Sequence, residues 1–372
     1  MSHMSELNTK TIVAGIDVHK YSHTAVAIDC FGQKLADHEF SNDYLSEFVA
    51  WLDSLGAREN LLVALEDVNG YGVHIVKRLA NENILMRYVP GILTERRRKQ
   101  SIHREKSDPA DAMRVTKVIL TNYEETLPAK ESIADPGERS AAANLDFFLA
   151  ERRSLVAGQT ILKNQLHALL HQYWGDHYAD NFAKAFNPKS MAYYQKNLKP
   201  KNMADPEQPA LAMSIKRRLE RLKLLVSQIR EIDAAMRTAA KDCQPVQALR
   251  QNLKGCGQIT ACALLAEVTT IKRFRTKAQF ARYAVIAPIH KSSGSHKRLY
   301  TSPYGNRKVN RALHTIALYQ ISRADGLGRL YYEKKLAEGK TKLWALRCLK
   351  RQLANRVFQT LKHEYESRIK PV

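Results

Sequence analysis

The sequence predicts an α/β amino-terminal domain, a long helical region, and a basic, mostly helical carboxy-terminal domain, with boundaries at 1–135, 136–245 and 246–372. Three observations carry this. Thr11 to Asp17 is an almost continuous apolar, β-branched run, as in a strand buried on both faces. Comparable runs then alternate with helical spacing through about residue 120. Beyond them come two long stripes in which apolar residues recur at intervals of four and three. At 372 residues the chain exceeds the roughly 250 that one core accommodates, so more than one domain is expected.

After the first strand, Thr24 to Ile28 and Gln33 to Phe40 follow across short polar joints that include Gly32, predicting a three-stranded antiparallel meander. Leu45, Phe48, Val49, Leu52 and Leu55 recur at helical spacing behind Asn42 and Asp43, which can cap. Leu61 to Glu66 is a second buried strand, Tyr71 to Asn81 a helix, and Ile84 to Val89 a third core strand. Three strands in a row, then helix, strand, helix and strand, is the order of an RNase H-like fold.

The helical region holds Phe148, Arg152, Leu155, Gln159, Leu162, Leu166 and Leu169 on one stripe. Ile215, Leu219, Leu222, Val226, Ile229, Asp233 and Met236 form the other. Such stripes suit an antiparallel helical hairpin or an intersubunit coiled coil, although Arg, Gln and Asp interrupt a simple leucine seam. Between them, from about Trp174 to Pro209, helix signals lapse, and an insertion or arm is expected.

The formal net charge is +22, and it is unevenly spread. Residues 1–95 carry 7 basic and 13 acidic side chains, net −6; residues 96–250 are net +9; residues 251–372 carry 25 and 6, net +19. An acidic first segment suits a site that gathers divalent metal, and the basic last third suits phosphates. With 44% hydrophobic residues the chain has the composition of a folded protein. No run approaches the roughly 18 to 20 apolar residues of a membrane span, and the polar start has no signal-peptide core, so a cytoplasmic location is expected. The five cysteines form no CxxC pair and read as inert, reduced thiols.

Asp17 ends the first buried strand and Glu66 the fourth. A carboxylate in that position has lost part of its hydration and needs a partner, and a divalent cation satisfies two at once. In an RNase H-like sheet these strands are adjacent and parallel, so both side chains should emerge at one edge. The segment KSDPADA adds Asp108 and Asp111, three apart on one helix face. Asp108 before Pro109 also has the form of a helix cap, and spacing alone leaves capping and metal binding both open. His19 and His23 fall in a strand-turn-strand context with no third ligand in the sequence and read as surface or near-site residues.

Arg96, Arg97, Arg98, Lys99, Arg104 and Lys106 precede the acidic helix and are placed to hold a phosphodiester backbone. Residues 253–268, LKGCGQITACALLAEV, resemble a helix-hairpin-helix, with Lys254 and with Gly255 and Gly257 letting backbone N–H groups approach a phosphate. Lys291 to Leu299 is a polar, basic loop holding Ser292, Ser293 and Ser295 near Lys291, Lys297 and Arg298. Arg307, Lys308 and Arg311 open the next helix.

GIDVHK at 15–20, ALEDVNGYG at 64–72, KSDPADA at 106–112, LKGCGQITA at 253–261, SSG at 292–294 and GNRKVNRAL at 305–313 together resemble the DEDD-type transposases of one insertion-sequence family, which includes Piv-type DNA invertases. The resemblance implies a RuvC-like amino-terminal domain whose acids, here Asp17, Glu66, Asp108 and Asp111, bind Mg²⁺, with Mn²⁺ able to substitute. It implies a coiled coil leading to a carboxy-terminal transposase domain and a serine nucleophile, here Ser293, which directly precedes a glycine. It also implies a homodimer or homotetramer acting on double-stranded DNA, associated with the nucleoid during activity and directed by a guide RNA. A site-specific invertase, a junction nuclease and a catalytically silent nucleic-acid-binding protein are the alternatives.

Overall fold

A computed structural model describes residues 7–67, 70–100, 107–198, 207–293, 296–302, 304–324 and 326–369. The chain divides into two compact units. The first joins residues 1–140 to segments 268–306 and 351–372; the second comprises 141–267 and 307–350.

The first unit is built on a six-stranded mixed sheet: β1 (Ile12–Val18), β2 (Ser22–Ile28), β3 (Lys34–Ser41), β4 (Leu61–Leu65), β5 (Met86–Tyr88) and β6 (Leu127–Pro128). Its spatial order is β3-β2-β1-β4-β5-β6. The first three strands are antiparallel, while β4 runs parallel to both β1 and β5. This is the RNase H-like arrangement expected from the element order.

Strand alternation sorts the core into two layers. Ala14, Ile16, Leu61, Val63 and Leu65 pack with Phe48 and Leu52 of helix Leu45–Leu55 and Ile75 and Leu79 of helix Val73–Asn81. On the other face, Val13, Leu62 and Ala64 pack with Val115, Val118 and Ile119 of helix Asp108–Asn122. Arg87 of β5, almost fully buried, donates to the carbonyls of Tyr123 and Thr126, which satisfies a charge that burial alone would penalise.

The two later segments of this unit are short helices, a hairpin of β7 (Pro288–Ser293) and β8 (His296–Thr301), and the end of helix Lys342–Ile369. Their cations are matched to acids on either side of β6: Lys272 pairs with Asp135, Arg275 with Glu124, Arg282 with Glu125 and Arg368 with Glu138.

In the second unit, helices Pro136–Trp174 and Glu207–Lys241 carry the two predicted stripes. The Arg and Asp that interrupt them meet, Arg152 Nε lying 2.6 Å from Asp233 Oδ1. Leu166, Leu170, Ile215, Leu219 and Leu222 form the apolar core, whereas Phe148, Leu155 and Leu162 are only half-buried. The lapse in helix signals between the stripes is partial. Helix Pro188–Asn197 is started by a capping box between Asn187 and Ser190, and it buries Met191 and Tyr194 against the same core.

Candidate metal centre and nucleic-acid residues

Parallel pairing of β1 with β4 sets Ile16 opposite Leu65, so the next rung carries Asp17 and Glu66. By strand alternation both belong to the face shared with Val13, Leu62 and Ala64, the face covered by helix Asp108–Asn122. That helix comes unusually close to β1. A Cβ built on Gly15 would lie 2.7 Å from the Ala112 carbonyl oxygen, so glycine is required for the approach. Ala112 lies one turn after Asp108, and the approach brings the helix start to Asp17.

Helix geometry corrects one expectation. The cap is Ser107, not Asp108, and the Asp111 N–H donates to the Ser107 carbonyl at 2.9 Å. Asp108 is therefore the first helical residue, and its carboxylate is turned to other partners. His19 Nε2 lies 3.1 Å from Asp17 Oδ2 and 3.4 Å from Asp108 Oδ1. One ligand atom from each of Asp17, His19 and Asp108 lies within 4.8 Å of the others.

Burial pushes the Asp17 carboxyl above its ordinary range; His19 opposes this, while Asp111 and Asp108 add repulsion. Glu66 is also raised, first by lost hydration at its carboxylate and then by Asp17 and Asp111, with the Thr94 hydroxyl pulling the other way. Although part of the Glu66 side chain reaches solvent, its acid group responds to its crowded surroundings. Asp108 and Asp111 thus stand within electrostatic reach of Asp17, and Asp17 and Asp111 within reach of Glu66, so the two strand-end carboxyls ionise against their acidic neighbours. Such a donor set suits a divalent cation, which relieves the repulsion and accepts hard oxygen ligands. Neighbouring Asp67 is spoken for: its carboxylate accepts from the backbone N–H groups of Gly70 and Tyr71.

A transposase model, DEDD_Tnp_IS110, matches residues 14–175, which contain all four acids. A second, described as Transposase IS116/IS110/IS902 family, matches residues 247–333. The chain belongs to the IS110/IS902 transposase family. It is similar to the insertion element IS110 uncharacterized 43.6 kDa protein of Streptomyces coelicolor, at 34% identity over 164 residues. That alignment covers 43% of this chain and spans 38% of the relative's length.

The sequence places His19 no more specifically than as a surface or near-site residue, and it does not single out Arg114. For His19 the signal is its position two residues after Asp17, just past the end of β1, close enough in sequence for the two side chains to meet. Arg114, three residues after Asp111 and largely buried, forms an ion pair with it.

In this IS110/IS902-family chain the predicted phosphate-binding residues fall into different settings. Arg96 is exposed over the ring of Tyr304, Arg97 donates to Thr121, and both Arg98 and Lys99 pair with Glu95. Arg104 and Lys106 lie outside the described residues. Lys254 is exposed in the turn between helices Gln244–Asn252 and Gln258–Val268. There Gly255 has φ +85°, with the Tyr319 ring where a Cβ would stand, and Gly257 borders open space. Arg307 and Arg311 are exposed, whereas Lys308 is held by Glu267 at 2.6 Å and Asp146 at 3.1 Å.

The backbone of Ser293 ends β7, paired with His296 of β8, and lies in the same compact unit as the four acids. The side chains of Lys291, Ser293, Lys297 and Arg298 lie outside the described residues. Burial pushes the Cys256 and Cys262 thiols up to about 12, which keeps them protonated and unreactive. Among the described residues no helix is long and apolar enough to cross a membrane.

Proposed function

We propose that the protein is a DNA recombinase that cuts and rejoins double-stranded DNA during transposition, using Asp17, Glu66, Asp108 and Asp111 to hold Mg²⁺ and Ser293 as nucleophile. The observation that carries this reading is the convergence of Asp17 and Glu66, from adjacent parallel strands, with the first turn of helix Asp108–Asn122. Bound there, the metal would polarise a scissile phosphate and stabilise charge on its oxygens.

The residues of the chain divide the remaining work. The carboxylates orient the phosphate indirectly and exclude a second anion from the site. The Ser293 hydroxyl attacks phosphorus, forming a serine–phosphate bond as the bond from phosphorus to the leaving sugar oxygen breaks. The serine proton passes to a base, and the freed sugar hydroxyl is protonated. Attack by a sugar hydroxyl on the serine phosphodiester reverses these bonds and rejoins DNA. Return of the 268–306 segment to the unit that holds the sheet supports a shared site for Ser293 and the acids. The exposed cations and the +19 carboxy-terminal third support contact with DNA and a guide RNA. Assembly as a dimer or tetramer would bring two DNA partners together.

Strand exchange with Asp108→Asn and Ser293→Ala tests this reading. Both variants are expected to bind DNA while losing recombination. A denaturing gel should show a protein–DNA adduct that Ser293→Ala fails to form. Recombination by Asp108→Asn, or an adduct formed by Ser293→Ala, overturns the corresponding assignment.

A further inference from the structure

We propose that the metal position framed by Asp17 and Asp108 includes His19 as a nitrogen ligand and therefore selects Mn²⁺, or a similar borderline transition ion, over Mg²⁺. The inference deepens the carboxylate-site reading and rests on it. Its basis is a juxtaposition that the four-acid pattern does not require. The His19 imidazole, one residue past the end of β1, reaches Asp17 on that strand and Asp108 at the start of a helix, at 3.1 and 3.4 Å. Among the described residues these carboxylates are the ring's partners, and its side chain is 47% exposed, between Asp17 at 22% and Asp108 at 58%.

The backbone beneath the ring is anchored. The His19 N–H donates to Nδ1 of His23 at 3.3 Å, and His23 is fully buried on β2 directly opposite Val18. The turn from β1 to β2 thus holds residue 19 at the edge of the acid group. Converging positions from two elements, with one ligand atom already near the other two, reduce the ordering needed to form a three-ligand site.

The chemistry follows from the donor set. Mg²⁺ prefers an octahedral shell of oxygens and sheds water reluctantly. An imidazole is a softer donor that suits transition ions, and Mn²⁺ also accepts the carboxylates. Two carboxylates and one imidazole make this position chemically different from any formed by acids alone. Glu66 and Asp111 supply only oxygen, so a second ion held chiefly by them would keep the preference for Mg²⁺. An asymmetric pair of metal positions is the consequence.

The test uses the full-length protein and Mn²⁺ as probe, with pulsed EPR to detect nitrogen coordination and competition titrations against Mg²⁺. Wild type should show ¹⁴N coupling to bound Mn²⁺. His19→Gln should retain Mn²⁺ binding through the carboxylates but lose that coupling, and its preference for Mn²⁺ over Mg²⁺ should fall by roughly tenfold or more. Metal-free melting and circular dichroism of His19→Gln should match wild type, which separates loss of a ligand from loss of fold. Bound Mn²⁺ without ¹⁴N coupling in wild type overturns the role of His19 while leaving the carboxylate site intact. Coupling that persists in His19→Gln assigns the nitrogen to another residue and also overturns it. Failure of wild type to bind Mn²⁺, with no change in Asp17→Asn, overturns the carboxylate site itself.

Discussion

Gly15 and Ala112 meet with no room for a side chain between them. A Cβ on Gly15 would stand 2.7 Å from the Ala112 carbonyl oxygen and from the Thr116 amide nitrogen. This contact lets helix Asp108–Asn122 lie directly on β1, and it couples a glycine with no chemistry of its own to the placement of Asp108 and Asp111.

Gly15→Ala should therefore damage the site from beneath. The helix backbone must retreat to admit the methyl group, and overpacking of this kind costs about 1–3 kcal/mol. The expected outcome is a lower melting temperature together with weaker dication binding. A variant with wild-type metal affinity would show that the close approach does not position the acids.

The crowded carboxylates should make metal-free stability depend on pH. Asp17 and Glu66 are raised above their ordinary values, so between those values and the raised ones the folded state holds more protons than the unfolded chain. Stability should fall as pH rises through that window and stay lower above it. Asp17→Asn should raise the metal-free melting temperature at neutral pH by ~2–4 °C and abolish most of the gain that divalent metal gives wild type. Melting curves with and without Mn²⁺ check this, and a lower metal-free melting temperature for Asp17→Asn would contradict it.

Arg152 and Asp233, each about 25% exposed, form an ion pair between the two long helices. Removing either partner leaves a half-buried charge uncompensated, so Arg152→Leu and Asp233→Leu should each destabilise by about 1–3 kcal/mol. The double variant should recover most of that loss. Denaturant melts of the three proteins form the cycle, and strictly additive losses would mean that the pair contributes no coupling.

Phosphate binding should be unequal among cations that look alike in sequence. Nucleic-acid affinity should fall with salt by a log–log slope of about −0.9 for each duplex phosphate neutralised. Arg311→Ala is expected to make that slope shallower by about 1. Lys308→Ala should leave it nearly unchanged and lower stability instead, because Glu267 and Asp146 lose their cation. Equal effects of the two variants on the salt slope would refute the distinction.

Much of the α/β unit was legible in the chain because its information is local. Buried parallel strands read as apolar runs, and the order of those runs carries the RNase H-like topology. Asp17, Glu66, Asp108 and Asp111 could be singled out because each interrupts or borders such a pattern. The same local reading placed Asp108 at the cap, one residue off, because Ser107 and Asp108 are both residue types that favour helix starts.

Other features depended on partners far away in sequence. The RKVNR run looks uniformly basic, but Glu267 and Asp146 take up Lys308 and leave Arg311 exposed. Likewise the skew toward positive charge after residue 250 is partly answered by Glu124, Glu125, Asp135 and Glu138 through pairs spanning more than 130 residues. The sequence by itself determined the strand and helix pattern and the supply of acids and cations, since burial period and residue type are written along the chain. Only the tertiary structure decided that His19 would face Asp108 and that 268–306 would join the sheet's unit. Electrostatics and ligand geometry depend on distances in space, and those are set by packing between segments that sequence spacing does not relate.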